Sequence, residues 1–566
     1  MSTTMNRRSF VKMGGAAAVA AVAAPAAAHA EEAQEETPAY GSWKIAPEPV
    51  SEESIVDTVE AEIVIVGAGL AGTAAARAAA EAGANVVVLE QQALDTFAVF
   101  ASECGTVNAQ FSMDRGIPEY DTLAFRQDWM RRTFGRCNPT LIKEYAEKSG
   151  AMFDWFVEPL DDAFRDSINT FRYNATAGTV NGWTNILGTN IFRGGDEEHD
   201  YSLTAAIRIN QQVAEGLGAR FDFGTKGYYL EKDADGRVNA VIATNADGAY
   251  VRYIASKAVL LAAGDFSNNS QMVLELLPEV VACAGGVAPI GFAWDGSGIQ
   301  MGVWAGGIID PGPAAPMGGP SAAESGALQA TPFLKLNRDG KRFCAESFMG
   351  IYGYRFQCGR QPRQGIITAV FDSHWEENVR NAPCDHGSVD LDNPIIADRL
   401  IAEMAALECG PEGGQVTSAL TSTSTSTVTM FKADTLDELA DYLGYTGEAK
   451  ENFLASIERY NELCDKGVDE DFAGDPAAMY PVKDAPFYGA VTESRRNSML
   501  CTVTGLMIDG EQRVLDADFE VIPGLYATGN NSGCRYAVSY STPVAGCSCG
   551  IALTLGRCVG EELAAL

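Results

Sequence analysis

The stretch from Glu62 to Glu90, EIVIVGAGLAGTAAARAAAEAGANVVVLE, narrows what this chain can fold into more than any other. Ile63 to Val66 reads as a short apolar strand. Gly67, Gly69 and Gly72 form a GxGxxG turn, an alanine-rich helix follows, and Val86 to Leu89 reads as a second strand with Glu90 at its tip. Each part has a task in holding a dinucleotide. Gly67 permits a tight turn, Gly69 lets the backbone approach a pyrophosphate, Gly72 lets helix and strand pack closely, and the helix start offers free N–H groups to the phosphates. Glu90 falls where a carboxylate accepts both hydroxyls of a ribose. An acid there disfavours a 2′-phosphate, which leaves FAD or NAD.

The chain has 566 residues, enough for two to four domains, and its composition is that of an α/β enzyme except for a net charge of −34. Such a surface repels nucleic acid and anionic lipid. It either attracts a basic partner or simply solvates the protein. The charge spares residues 1–30, which contain Arg7, Arg8 and Lys12 and no acid. Asn6 to Lys12 (NRRSFVK) resembles a twin-arginine export signal, Met13 to Ala24 is apolar but too short to span a bilayer, and Ala28-His29-Ala30 reads as a cleavage site. The expected product is a soluble protein outside the cytoplasm, periplasmic or at the outer face of the membrane, handed over folded by the twin-arginine translocase. Residues 31–57, acidic and dotted with proline, read as a linker.

Thirteen cysteines are scattered from Cys104 onward. No CxxCH motif attaches a c-type haem and no CxxC pair marks a zinc or simple ferredoxin site. Buried free thiols are one reading. Alternatively the C-terminal group, with Cys534, Cys547, Cys549 and Cys558 as the candidates, holds an iron–sulfur cluster or forms disulfides, and spacing does not separate these.

Cys104 to Ala109 is a small-residue loop suited to lining a flavin ring. Helices are expected over Leu141–Trp155 and Ala205–Gly218, and strands over Ala219–Phe223, Tyr228–Lys232, Val238–Thr244 and Val251–Ile254. Lys257 to Phe266 reads as a further buried strand running into a glycine turn, and Pro523 to Asn531 repeats the device before a final helix.

Together with the opening motif, AVLLAAGDFSNN (258–269), WDGSGIQMG (294–302), NRDGKRFCAE (337–346), GLMID (505–509) and GLYATGNNSG (524–533) stand in an order that resembles the fumarate reductase, urocanate reductase and 3-ketosteroid dehydrogenase family of FAD flavoproteins. The resemblance covers roughly residues 58 to 566. It implies an α/β fold with an α+β cap: a Rossmann-type FAD-binding domain in two pieces, 58–327 and 502–566, with a capping domain, 328–501, inserted between them. FAD is implied over NAD because the family closes the late GLYATGN turn over the flavin. Cofactor contacts are implied for Gly67, Ala68, Gly69, Leu70, Ala71, Gly72, Glu90, Gln91, Gly105, Thr106, Asn108, Ala109, Gly264, Asp295, Gly529, Asn530 and Val544. The repetitive TSALTSTSTSTV (417–428) would be a cap loop without a role.

The departures from the family direct the functional reading. Its fumarate reductases protonate a dianion with an Arg four positions past the Glu of RFxxE. Counted from Glu346, that position is Gly350. Their two carboxylate-binding positions, a His and an Arg, are Cys501 and Pro543 here. A buried carboxylate without charged partners is costly, so a dicarboxylic substrate is disfavoured. The ketosteroid enzymes place a Tyr after RFxxE, and Tyr352 and Tyr354 follow Glu346 here. Tyr540, Thr542 and the N–H of Gly546 are candidates to polarise a neutral carbonyl, with Arg355 and Arg535 as weaker candidates. His374 and Cys501 read as structural.

The inferred reaction is hydride transfer from flavin N5 to the β-carbon of an α,β-unsaturated carbonyl or lactone, with a tyrosine protonating the α-carbon. An exported flavoprotein without a haem motif needs electrons from a membrane-anchored c-type cytochrome or quinol dehydrogenase. This arrangement is similar to that of cardiac glycoside reductases of gut bacteria, a resemblance that adds a [4Fe–4S] cluster to the FAD. Two other readings stand beside it: a ketosteroid-type dehydrogenase working oxidatively, and a non-catalytic flavin-binding protein.

Overall fold

A computed structural model of the chain describes residues 41–566 except 171–178, 181–182, 193–197, 283–286, 290–293, 313, 320–324, 348–356, 358, 383–388, 420–423 and 494–496. The export signal and the candidates Tyr352, Tyr354 and Arg355 lie outside the described residues.

The chain enters the core through β1 (Ile55–Val66), whose last four residues are buried on both faces. Such residues suit a parallel strand flanked on each side. The glycine turn leads into α1 (Leu70–Glu81) and then β2 (Val86–Glu90), which pairs in parallel with β1, Ile63 opposite Val86 and Val66 opposite Leu89. Two long amphipathic helices follow, α2 (Pro139–Val157), capped by Asn138, and α3 (Leu203–Gly216), capped by Ser202. Then come β3 (Arg220–Phe223), β4 (Lys226–Lys232), β5 (Val238–Thr244) and β6 (Tyr250–Leu261). A short helix, α4 (Ser297–Trp304), closes this part.

The strands expected at 219–223, 228–232 and 238–244 lie within one or two residues of the observed ones, but β1 begins at Ile55, eight residues ahead of the expected Ile63, and a second expectation also needs correcting. The segments read as separate strands at 251–254 and from 257 are one twelve-residue strand, β6. It runs alongside the whole of β1, with register shifts between Ala61 and Ile63 and between Ile55 and Asp57 absorbing its irregularity. Its first half pairs with the β5 hairpin and its second half enters the buried sheet. A change of neighbours midway looks, in sequence, like two strands.

The linker reading also needs correcting from residue 41 onward. Trp43 is buried, its indole Nε1 donates to Glu275 at 2.6 Å, and its carbonyl accepts from Trp304 at 3.0 Å. One large aromatic fastens a polar segment to the domain, a feature an average over composition does not reveal.

Residues 334–493 form a second, five-stranded antiparallel sheet. Its strands are β7 (Leu334–Asn337), β8 (Ile366–Phe371), β9 (Gly414–Thr417), β10 (Thr427–Ala433) and β11 (Phe487–Glu493), in the order β7-β8-β11-β10-β9. The helix α5 (Glu448–Lys466) packs here. Two hydrophobic clusters of buried residues are drawn from 327–490 alone. Arg342 ties Glu346 to Asp469, its guanidinium 2.7 Å from both and the three side chains nearly out of solvent.

The chain then returns to the first sheet through β12 (Arg513–Leu515) and β13 (Val521–Ala527). β13 pairs in parallel with β6, so the eight-stranded sheet runs β12-β13-β6-β1-β2-β3, with β5 on β6 and β4 on β5. The last helix, α6 (Cys547–Ala565), lies against α1 so closely that a Cβ on Gly556 would stand 2.5 Å from the Ala71 carbonyl oxygen, and one on Gly560 2.4 Å from that of Ala75. The alanines of α1 are thus half of a small-residue interface. Among the described residues no helix is long and apolar enough to cross a membrane.

Candidate functional site

The carboxyl ends of β1, β6 and β13 meet at one edge of the parallel sheet, where open α/β sheets hold ligands. Three glycines of the opening motif do three different things there. Gly67 has φ +105°, and a Cβ on it would lie 2.4 Å from the Ala262 carbonyl oxygen. A Cβ on Gly72 would lie 1.9 Å from the Gly67 oxygen, so only glycine lets α1 start this close to the turn. Gly69 differs, because a Cβ there would meet nothing within 4 Å. Its place faces open space at the start of α1, beside Ala68, Leu70 and Ala71, and a side chain would fill the cradle a pyrophosphate needs.

Around this cradle the backbone is held by side chains. Glu90 is buried and its two carboxylate oxygens accept the N–H groups of Ala68 at 2.9 Å and Gln92 at 2.8 Å. Burial pushes its carboxyl above the ordinary value. Each oxygen keeps acceptor capacity, which suits ribose hydroxyls. Gln91 is the half-buried next residue. Gln211 of α3 is fully buried and its Nε2 donates to Ala68 O at 2.8 Å and to Thr73 Oγ1 at 3.1 Å. Sequence reasoning missed Gln211, which stands on an otherwise ordinary helix face far along the chain.

The second wall is the turn after β6 fastened to the turn after β13. Asn531 Oδ1 accepts from Ala263 N and its Nδ2 donates to Gly264 O, both at 2.6 Å. Gly529 has φ +58°, and a Cβ there would stand 3.0 Å from Ala71 Cβ. Asn530 accepts from Ser548 Oγ at 3.3 Å. The third wall joins the 104–109 loop to the start of α6. Gly105 N donates to Gly546 O at 2.9 Å, and a Cβ on Gly105 would sit 2.2 Å from Ala545 O. Thr106 N donates to Gly188 O at 2.9 Å, and Val544 is buried beside them.

The side chains of two assigned contacts have partners within the protein. Asn108, at φ +59°, spends its amide on Tyr120, accepting from N and donating to O, and leads through Ala109 into a short helix. Asp295 sits 2.5 Å from Lys226 Nζ and accepts from Ser297 N, so its carboxylate opens α4.

The cradle fits FAD on two observations. The space at Gly69 is the first. The second is the buried hydroxyl Thr528 Oγ1 following β13, which has no partner among the described residues and where a bound group would supply the missing bond.

Among the catalytic candidates, Tyr540 is buried and its hydroxyl accepts from Ser548 N at 2.8 Å, in the first turn of α6. Gly546, at φ +78°, is the N-cap of that helix. Thr542 spends its hydroxyl on Val544 O at 3.0 Å. Cys501 is buried with Sγ 3.9 Å from Met317 Sδ, and burial pushes its thiol well up. His374 bonds Asp484 at 3.0 Å on the surface, beside Asp372, whose oxygens accept the N–H groups of His374, Lys483 and Asp484. That cluster holds a turn.

The iron–sulfur candidates are a correction. At about 1.5 Å of rise per residue, Cys558 lies roughly 16 Å along α6 from Cys547. Cys534 Sγ lies 3.3 Å from Met507 Sδ, Cys547 donates to Val544 O at 3.0 Å, and Cys558 lies 3.7 Å from Lys148 Nζ. One cluster cannot take Cys534, Cys547, Cys549 and Cys558 together. All four are free thiols. Sequence spacing hides this because a helix turns proximity in number into separation along an axis.

A sheet edge with a glycine cradle, a ribose acid and a late strand closing over both defines a dinucleotide-binding flavoenzyme. The chain belongs to the FAD binding domain family, whose model matches residues 62–551. It is an FAD-dependent oxidoreductase of the class acting on CH–CH bonds. It is 26% identical to the vinyl phenol reductase of Lactiplantibacillus plantarum over 89% of this chain and 96% of that protein. It is 27% identical to the digoxin reductase of Eggerthella lenta over 99% and 97%. In fold it is similar to a 3-ketosteroid-Δ4-(5α)-dehydrogenase from Rhodococcus jostii RHA1, with TM-score 0.64, 20% identity and coverage of 91% of this chain and 99% of that one.

Proposed function

We propose that the chain is an exported reductase of an activated C=C bond in an uncharged substrate, an α,β-unsaturated carbonyl, a lactone or a vinyl-substituted phenol. The observation that carries this reading is what fills the two places where the family's fumarate reductases grip a carboxylate. One is the buried thiol of Cys501, the other Pro543, whose carbonyl accepts from Ile186 N at 2.7 Å. Neither offers a carboxylate a charge-assisted bond. Two relatives that match nearly end to end are named for vinyl phenol and digoxin, neither of them a dicarboxylic acid.

When bound, FAD supplies the hydride for the β-carbon. The chain's own residues orient and polarise. Ser548 N fixes the Tyr540 phenol at the head of α6; on this reading the phenol and the N–H of Gly546 polarise the substrate carbonyl. Tyr352 or Tyr354 donates the proton to the α-carbon. The NRRSFVK segment directs export, so the electrons come from a membrane-anchored c-type cytochrome or a quinol dehydrogenase.

Photoreducing the holoenzyme without oxygen and adding candidate oxidants tests the proposal. Neutral enones, unsaturated lactones or vinyl phenols should restore the oxidised flavin spectrum, and fumarate should not. Fumarate or another small diacid emerging as the best oxidant would overturn it. A second reading, oxidative ketosteroid chemistry, is favoured by 27% identity to the 3-oxosteroid 1-dehydrogenase of Mycolicibacterium smegmatis over 68% of this chain and 64% of that one. Product analysis with a steroid enone and a reduced dye separates the two.

A further inference from the structure

Arg535 is the buried side chain whose hydrogen-bonding capacity the fold most clearly leaves unmet. It is fully buried. Its Nη2 donates to Ser532 O at 2.7 Å and to Val503 O at 3.4 Å, while Nε and Nη1 are buried with no acceptor among the described residues. The Tyr536 hydroxyl beside it is buried and likewise unpartnered, and the guanidinium carbon stands 5.5 Å from that ring. Taking an unpaired guanidinium out of water costs several kcal/mol. Asp310 does not repay this, since among the described residues it forms no ion pair with Arg535 and its carboxylate accepts from Cys534 N at 2.7 Å. Burial accordingly pulls Arg535 below the ordinary arginine value.

The segment that carries Arg535 runs between two walls of the cradle. Three residues upstream is Ser532, next to Asn531, which holds the β6 turn. Downstream, the Tyr536 ring lies 5.2 Å from that of Tyr540, whose hydroxyl receives Ser548 N. There α6 begins, a 19-residue helix with Gly546 as its N-cap and the Ser548 N–H of its first turn taken by Tyr540. The acceptors of the Arg535 guanidinium lie in 503–532, and its carbonyl accepts from Trp129 Nε1 at 2.9 Å. The side chain is held by the turn after β13 and by Val503, the turn being the stretch that also carries Asn531.

We propose that Arg535, with the Tyr536 hydroxyl and the first turn of α6, is a site for a delocalised organic anion, namely the isoalloxazine ring of FAD in its reduced form. A hydride added at N5 brings two electrons and one proton and leaves a negative charge spread over N1 and the C2 carbonyl, for which a buried guanidinium is a matched counter-charge. The proposal rests on FAD occupying the cradle and does not depend on which alkene is reduced.

Sulfite, which adds to flavin N5 and leaves the same charge on the ring, is the probe. With purified holoenzyme, sulfite should bleach the visible flavin band. Arg535→Met should weaken sulfite binding about tenfold or more, the worth of one charge-assisted hydrogen bond. The two-electron midpoint potential should fall by about 30 mV, the same tenfold converted. Arg535→Lys should keep most of both, and Tyr536→Phe should show a smaller loss. Should wild type take no sulfite, the potentials alone decide. Should Arg535→Met fail to hold FAD, Arg535→Lys is compared with Arg535→Gln. Potentials and sulfite affinity unchanged on loss of the charge would overturn the proposal. So would a variant that loses only the binding of an added phenolate, since the anion would then be the substrate's.

Discussion

At the scale of single residues, the glycine turn makes a prediction that separates binding from folding. Gly69→Ala places a methyl in open space, so it should leave thermal stability unchanged while lowering the flavin-to-protein ratio and FAD affinity at least about tenfold, since a methyl blocks the backbone's approach to phosphate. Gly72→Ala drives a methyl into the Gly67 carbonyl and should destabilise the protein by about 3 kcal/mol as well as abolish binding. Flavin absorbance and thermal melts on both variants check this. Asp265, in the turn after β6, is wholly buried and burial pushes its carboxyl up to about 7. A folded-state value raised above the unfolded one means that the folded state holds the extra proton, so stability falls as pH rises from about 4 to about 7 and is flat beyond. Asp265→Asn should remove that fall, gaining on the order of 4 kcal/mol at pH 8 and little at pH 4. Urea melts of the FAD-free protein at the two pH values measure it, and an unchanged slope would refute it.

Among the elements, the one the sequence hid is the docked leading segment. Trp43→Ala should free residues 41–54, exposing them to limited proteolysis, and cost about 3 kcal/mol. Recovery of the same proteolytic pattern as wild type would count against it. The strand, glycine turn and helix at 62–90 were legible because their periodicity and turn chemistry are local. β6 was read as two pieces because its neighbours change halfway, and pairing partners are not written in a strand's own residues. The cysteines of α6 were grouped by number, yet helical rise parts Cys547 from Cys558 and turns them toward different neighbours.

For the molecule as a whole, the sheet is completed by β13, which arrives more than 250 residues after β6. The cofactor's walls therefore come from both ends of the chain, and FAD should act as a clamp between them. Removing FAD should lower the melting temperature, and restoring it at 100 times its dissociation constant should return about 2.7 kcal/mol. A calorimetric scan should show the loss in the transition of the eight-stranded sheet rather than in the one formed by 334–493, which has clusters of its own. By themselves the residues determined that this chain binds a dinucleotide, since the motif's geometry is closed within thirty positions, and the departures at Cys501 and Pro543 pointed away from diacids. Only the tertiary structure decided which distant groups meet there, Gln211 under Ala68 and Asn531 across the β6 turn, and it buried Arg535 with two nitrogens lacking an acceptor among the described residues. Those depend on long-range packing, in which burial takes a polar group from water and leaves its partner to be chosen by the fold.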